Sequence, residues 1–248
     1  MGMEHGLLIV SAVSFVISFL FALGGIGGAI ILVPILNMLG IPFQFSRPAG
    51  LFTNVLSGSG IVLNNLKNGR IDWKLALPLT ISSTLFAPVG AISSHLIPQK
   101  LVAVALTLFL VYAGAVVYLP KKSETIRDNY PLWLPVIVGS ITGFFSGMLG
   151  VGGGSLASPI LMVLGINPKK IISSIPVMVF FSSLAGFITY WKIGSVNWEI
   201  TLAAALPAFV AGYLGTHFAQ NHLSVSKIKK ILGLVYLLVA IKFALKWF

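Results

Sequence analysis

Long apolar runs recur along the whole sequence, and they constrain its fold more than any other feature. A run of roughly 18 or more apolar residues can cross about 30 Å of hydrocarbon as a helix. The 248 residues are 57% hydrophobic and only 8% charged, whereas soluble domains usually carry about 25% charged residues. The runs are continuously apolar and do not alternate with a period of two, which excludes the strands of a membrane barrel. The sequence therefore predicts an all-α integral membrane protein.

Two copies of one pattern divide the chain. The segment GGIGGAIILVPILNMLGI at 24–41 aligns with LGVGGGSLASPILMVLGI at 149–166, and the same offset of 125 positions pairs Trp73 with Trp198. A constant offset over so many positions indicates duplication of a structural unit. We predict a first transmembrane repeat at 1–120, a cytoplasmic linker at 121–130 and a second transmembrane repeat at 131–248.

Each repeat is predicted to contain five hydrophobic segments, which gives about 8 to 10 transmembrane helices. The predicted segments are 6–23, 27–39, 46–66, 74–96 and 101–119, followed by 131–149, 152–164, 171–191, 199–219 and 225–247. The second segment of each repeat is short and covers only about 20 Å as a helix. It therefore either spans the membrane poorly or forms half of a re-entrant hairpin.

An odd number of crossings in each repeat would turn the two repeats upside down relative to each other. Basic residues test this topology because they accumulate in cytoplasmic loops. Placing the linker inside puts eleven of the sixteen Lys and Arg residues in the cytoplasm and both termini outside. We predict two inverted five-segment repeats in the cytoplasmic membrane of the cell, with a parallel arrangement ranked second.

A glycine-rich elbow precedes each short second segment. Glycine permits positive φ and close backbone approach, and a helix that begins inside the membrane presents free N–H groups and the positive end of its dipole to an anion. Interrupted segments at matching positions of inverted repeats also point to a transport site. Tight helix packing is the alternative role for any one of these glycines. The glycines predicted to bind substrate are Gly25, Gly27, Gly28, Gly152, Gly153 and Gly154.

Polar residues near the elbows are the next candidates for substrate binding. Ser155 follows the second elbow and offers both an amide and a hydroxyl. The third segment of the first repeat supplies Thr53, Asn54 and Ser57, and the second repeat supplies Ser182 at the position that matches Ser57. Hydroxyl and amide donors suit an oxyanion, although membrane helices also use such groups to bond to one another.

Charged residues are rare, and the five acidic ones all fall at predicted segment ends or in loops. Cation pumps and carboxylate proton relays need acids deep in the membrane, so this distribution argues against both. Arg47 lies at the predicted outer start of a third segment, where it would bind an anion or anchor the helix at the interface. His95 and His217 are expected near the interface, with proton coupling as their alternative role.

The sequence argues against several other classes of protein. It contains no cysteine, no HExxH and no GxxxxGK[ST] motif, so we predict no enzyme activity, no metal site, no cofactor and no bound nucleotide. The net charge is +11, but the basic residues stand singly or in pairs between apolar runs, which argues against nucleic-acid binding. The expected partners are the lipid bilayer and a small anion, and the sequence leaves homo-oligomerisation open.

At its elbows the sequence resembles the TauE/SafE sulfite exporter family, whose two halves each carry a GxGGG-type motif followed by a proline and a leucine. The motifs read GIGGAIILVPIL and GVGGGSLASPIL here, and Ala29 stands in the first copy where Gly154 stands in the second. Equal roles for the two elbows are therefore not expected. The resemblance implies a permease for sulfite, sulfonates such as sulfoacetate, or related organosulfur anions.

These observations lead to one functional expectation with one alternative. The chain is expected to be a secondary transporter that works by alternating access, with its anion bound at the two glycine-rich helix N-termini. The alternative is an anion channel in which the same elbows form the filter. We also expect Gly153→Val to abolish transport more than it harms folding, because the valine would block backbone approach to the ligand.

Overall fold

The computed structural model of the protein describes residues 3–23, 29–116, 118, 130–222 and 225–247. These residues form ten α-helices and contain no strand, which confirms the predicted all-α class. The helices are α1 (Met3–Leu23), α2 (Ala29–Met38), α3 (Phe43–Lys67), α4 (Trp73–Leu96), α5 (Gln99–Val116), α6 (Trp133–Leu149), α7 (Gly154–Val163), α8 (Pro168–Lys192), α9 (Trp198–His222) and α10 (Val225–Trp247). Each helix corresponds to one predicted segment, because an apolar run ends where polar and turn-forming residues begin. Most of the predicted linker lies outside the described residues.

Several helices are apolar enough to lie in lipid. Among the described residues, four helical stretches are long and apolar enough to cross a membrane: Trp73–Leu96, Gln99–Val116, Pro168–Lys192 and Trp198–Gly215. Shorter apolar helices cover His5–Leu20, Trp133–Leu149 and Gly154–Val163. Large aliphatic side chains are exposed on the outer faces of the bundle, Leu85 and Leu108 among them. Such surfaces suit a protein whose solvent is hydrocarbon.

The tightest helix pair joins one repeat to the other. Helix α4 runs parallel to α6, and three glycines of α6, spaced four residues apart, face it. A β-carbon added to Gly143 would lie 2.4 Å from the Ser83 carbonyl oxygen, and one added to Gly147 would lie 1.9 Å from that of Ala87. Small residues at this spacing let two membrane helices approach to backbone contact. The matching helices α9 and α1 also pack together, and Ser11 donates a hydrogen bond to the Ala203 carbonyl oxygen over 3.0 Å.

The third helices of the two repeats cross in opposite directions. Near the end of α3, Asn65 donates to the carbonyl oxygen of Ser173 near the start of α8, over 3.3 Å. In the first half of α3, the Phe52 ring packs on Phe187 in the second half of α8, with ring centroids 4.8 Å apart. Helices α3 and α8 are therefore antiparallel, although they occupy matching positions in the two repeats.

Helices α6 and α7 form a helical hairpin. Tyr130, just before α6, and Ile166, just after α7, belong to one buried cluster with Leu75 and Ile171, which lie near the starts of α4 and α8. The two outer ends of the hairpin therefore lie at the same end of the bundle. Helix α7 has only ten residues, or about 15 Å of helix, and is too short to cross the hydrocarbon alone. The second elbow is thus the tip of a hairpin inside the bundle.

Candidate functional site

The second elbow joins α6 to α7 through residues 150–153. Gly150 ends α6 in the left-handed conformation, and both Gly150 and Gly152 have a φ of 76°. Glycine adopts this conformation at little cost, whereas other residues are strained there, so the predicted positive φ is confirmed at these two positions. Helix α7 begins at Gly154 without a side-chain cap. The N–H groups of Leu156 and Ala157 bond to the Gly153 carbonyl oxygen, whereas the N–H groups before them have no acceptor within a helix.

One face of α3 covers this elbow. Arg47, Gly50 and Asn54 are three and four residues apart, which places them on the same side of the helix. A β-carbon on Gly150 would lie 2.5 Å from the Arg47 Cα, and one on Gly50 would lie 2.5 Å from the Gly150 carbonyl oxygen. The elbow of the second repeat is therefore in backbone contact with a helix of the first repeat. Sequence spacing gave no sign of this contact, because 100 or more positions separate the contacting residues.

Asn54 directs its side-chain amide at the elbow. Its Nδ2 atom lies 2.6 Å from the position that a β-carbon on Gly152 would occupy. The residue is only 5% exposed, and this nitrogen has no hydrogen-bond partner among the described residues. Buried amide donors are normally satisfied. A buried donor without an acceptor thus lies beside the start of α7.

Ser155 adds a further hydroxyl at the start of α7. Its Oγ is buried and has no hydrogen-bond partner within the part of the chain that the structure describes. On the side of α8 the wall is apolar, since a β-carbon on Gly154 would meet methyl groups of Val179 and Ile175 at 2.7 and 2.8 Å. Unused donors and a helix N-terminus in an apolar surrounding are features that suit an anion.

Arg47 is buried beside the same elbow. It is 3% exposed, so the interpretation of this residue as an interfacial anchor is wrong. Its Nη1 donates to the Ser94 carbonyl oxygen over 3.4 Å, and its guanidinium carbon lies 5.0 Å from the centroid of the Phe43 ring. Its Nε has no hydrogen-bond partner among the described residues, and none of their carboxylates forms an ion pair with it. A buried cation without a counter-ion is costly, and an anion would offset that cost.

Tyr190 connects three helices next to Arg47. Its hydroxyl donates to the Gly147 carbonyl oxygen over 2.9 Å and lies 2.8 Å from the Ser94 Oγ. The side chain is fully buried. Sequence analysis missed this residue because an aromatic ring near the end of a membrane segment is typical of the interfacial belt. No local signal reveals that its partners lie on α4 and α6.

Three of the predicted hydroxyls are used within their own helices. Thr53 donates to the Ala49 carbonyl oxygen, Ser57 to that of Thr53, and Ser182 to that of Val179. Their substrate-binding roles remain predictions. The predicted glycines Gly25, Gly27 and Gly28 of the first elbow lie outside the described residues.

Gly153 has the packing role that the sequence analysis gave as the alternative for any one elbow glycine. A β-carbon there would lie 2.7 Å from the Thr142 carbonyl oxygen of α6. A valine would therefore clash with backbone that cannot move away cheaply. This geometry revises the expectation for Gly153→Val, since folding is now expected to suffer together with transport.

Comparison with known proteins places this architecture among membrane transporters. The family model described as "Sulfite exporter TauE/SafE" matches residues 10–243. A probable membrane transporter protein of Methanocaldococcus jannaschii is 29% identical over 253 residues, which cover 91% of this chain and 93% of the relative. The probable membrane transporter protein YunE of Bacillus subtilis is 25% identical over 243 residues, covering 87% and 89%. Sulfite exporter TauE/SafE family protein 6 of Arabidopsis thaliana is 33% identical over 85 residues, covering 34% and 20%. No solved structure matches the chain.

Proposed function

The chain belongs to the sulfite exporter TauE/SafE family, and from that premise we propose that it is a secondary transporter for a small sulfur-containing anion. The family consists of membrane transporters and not of enzymes. The proposed substrates are sulfite, sulfonates such as sulfoacetate, and related organosulfur anions. The proposed location is the cytoplasmic membrane of the cell.

The unsatisfied amide of Asn54 carries the proposal of an anion site. A buried donor without an acceptor costs about 1–3 kcal/mol, and Asn54 Nδ2 is in that position beside the uncapped start of α7. An oxyanion at this point would accept from Asn54, from the Ser155 hydroxyl and from the first N–H groups of α7. Such a site gains from the helix dipole without needing a lysine or arginine in direct contact.

Arg47 supplies the positive charge in this proposal. It lies seven residues before Asn54 on the same face of α3, or about 10 Å along the helix axis. In a surrounding of low dielectric, a charge at that distance still acts strongly on an anion. Arg47 would therefore draw the substrate towards the elbow, while the backbone donors and Asn54 bind it.

The relation between the repeats supports alternating access. Antiparallel α3 and α8 are the arrangement expected of two inverted repeats, and the α6–α7 hairpin is the arrangement expected of a re-entrant segment. In such transporters one repeat rocks against the other around a site near the bilayer midplane. We propose that the elbow and the middle of α3 form that site. Proton coupling and homo-oligomerisation remain predictions from the sequence.

Flux measurements with the purified full chain in proteoliposomes test the proposal. We expect saturable uptake of labelled sulfite or sulfoacetate and counterflow when the vesicles are preloaded with the unlabelled anion. Large single-channel currents without counterflow would indicate that the protein is an anion channel and not a carrier. Absence of flux for every small sulfur anion tested, with and without a pH gradient, would overturn the proposal.

A further inference from the structure

A cleft lined by basic, polar and aliphatic side chains lies at the other end of the crossing between α3 and α8. It has a volume of about 390 Å³, and it is lined by Asn65, Arg70, Lys169, Ile172 and Ser173. Asn65 follows Asn54 by eleven residues, or about 16 Å along the helix axis. The cleft is therefore separate from the proposed anion site at the elbow.

The basic residues in and around the cleft differ in the partners that the described part of the chain gives them. Nearby, Lys170 pairs with Asp72 at 3.4 Å, and the Lys74 ammonium lies 5.6 Å from the centroid of the Tyr130 ring. The side chains of Arg70 and Lys169 are exposed, and neither has an ion-pair partner among the described residues. The cleft thus presents two cations that no described carboxylate pairs with, next to Lys170 and Lys74, which do have partners.

The internal repeat indicates that these cations are not required by the fold. The offset of 125 positions maps the five lining residues onto the opposite end of the same helix crossing. The matching residues are Tyr190, Ser195, Gln44, Arg47 and Pro48. At that end Arg47 and Tyr190 are buried, and neutral Gln44 and Ser195 stand where Lys169 and Arg70 stand in the cleft.

Exposed aliphatic side chains border the cleft on the side of the apolar helices. Ile172, which lines the cleft, is 66% exposed, and Leu66, the neighbour of Asn65 in α3, is exposed as well. Trp73, at the start of α4, is also exposed, as is usual for an aromatic ring at the membrane interface. The cleft therefore combines cations at the level of the lipid headgroups with an apolar surface below them.

We propose that this cleft binds the phosphate of one anionic phospholipid, with its acyl chains along Leu66 and Ile172. Basic pockets between helices at the cytoplasmic surface recognise anionic headgroups, and the distribution of basic residues predicts that side for this end of the bundle. A small free anion would not use the exposed aliphatic border. Because the cleft takes residues from both repeats, the bound lipid would hold α8 against the α3–α4 loop.

Binding of a headgroup-labelled phosphatidylglycerol to the delipidated full chain in phosphatidylcholine nanodiscs tests the proposal. Each basic residue near the membrane surface contributes about 1 kcal/mol to such binding, so Arg70→Gln with Lys169→Gln is expected to weaken it roughly thirty-fold. The matched control is Lys67→Gln with Lys192→Gln, which removes the same charge from exposed positions that do not line the cleft. Exchanging the cations, as Arg70→Lys with Lys169→Arg, should preserve binding.

Three results would overturn the proposal. Equal losses in the cleft variant and the control would mean that net charge alone attracts the lipid. Equal binding of labelled phosphatidylcholine would mean that only the apolar border matters. Displacement of the lipid by millimolar inorganic phosphate or sulfite would identify a site for small anions.

Discussion

The hydroxyl of Tyr190 donates a hydrogen bond to the carbonyl oxygen of Gly147 over 2.9 Å. Gly147 lies in the last turn of α6, where carbonyl groups have no N–H partner within the helix. Tyr190 belongs to α8, so this bond fixes the end of α6 from outside its own hairpin. The elbow begins three residues later at Gly150, so this bond also helps to fix the position of the elbow.

Tyr190→Phe is expected to lower the stability of the protein by about 1–2 kcal/mol, because it leaves the Gly147 carbonyl oxygen buried without its donor. Thermal unfolding in detergent measures the change. Tyr213→Phe is the matched control, since the Tyr213 side chain is 72% exposed. Equal unfolding temperatures for Tyr190→Phe and the unmodified protein would contradict the role assigned to the bond.

Asn54→Leu is expected to reduce anion transport at least about ten-fold without lowering stability. Leucine keeps the branched shape of asparagine with somewhat larger end groups, and it removes a buried donor that has no described partner, so little change in stability is expected. Uptake in proteoliposomes and thermal unfolding are measured on the same preparation. Thr107→Val is the control, because the Thr107 hydroxyl bonds within its own helix α5 and the residue is not a predicted binder. A stability loss that accounts for the lost transport would indicate a structural role for Asn54.

Gly147→Ala is expected to prevent correct packing of α6 on α4. The added β-carbon would lie 1.9 Å from the Ala87 carbonyl oxygen, and backbone on both sides leaves no cheap way to relieve the clash. Gly58→Ala in α3 meets nothing within 4 Å and should stabilise its helix by up to about 1 kcal/mol. The yield of folded protein in size-exclusion chromatography distinguishes the two variants. Normal recovery of Gly147→Ala would show that the helices can separate.

Arg47→Met is expected to raise the KM for the anion at least about ten-fold with little loss of stability. The arginine is buried without a carboxylate among the described residues, and exchanging a buried charge for an apolar side chain is often neutral or stabilising. Arg47→Lys keeps the charge and should raise the KM less. Initial rates of uptake across a range of anion concentrations give both values. An unchanged KM in Arg47→Met would remove this residue from the site.

The ten helices could be predicted from the sequence because apolar runs and the glycines and prolines between them are local signals. The short second segments were recognised for the same reason, since length is read directly. The course of these segments through the membrane could not be predicted, because a ten-residue helix such as α7 can tilt, span poorly or turn back. The buried cluster that contains both Tyr130 and Ile166 places the outer ends of α6 and α7 at the same end of the bundle.

The residues around the elbow were only partly predictable. Asn54 was a candidate for its chemistry and its depth, yet Thr53 and Ser57 had the same claim. What separates them is which face of α3 meets the elbow, and that depends on contacts across about 100 positions of sequence. The burial of Arg47 depends on the Ser94 carbonyl oxygen in the same way. Composition and periodicity do not encode such partners.

The start of α7 has no side-chain cap, so its donors belong to the main chain. Only a substitution by proline would remove one of these N–H groups. Every other variant of the protein would offer an anion the same backbone groups. Selectivity between one anion and another would then depend on the side chains that surround those groups, Asn54 and Ser155 first among them. Redesign of the substrate range should therefore begin on the face of α3 and leave the glycine motif as it is.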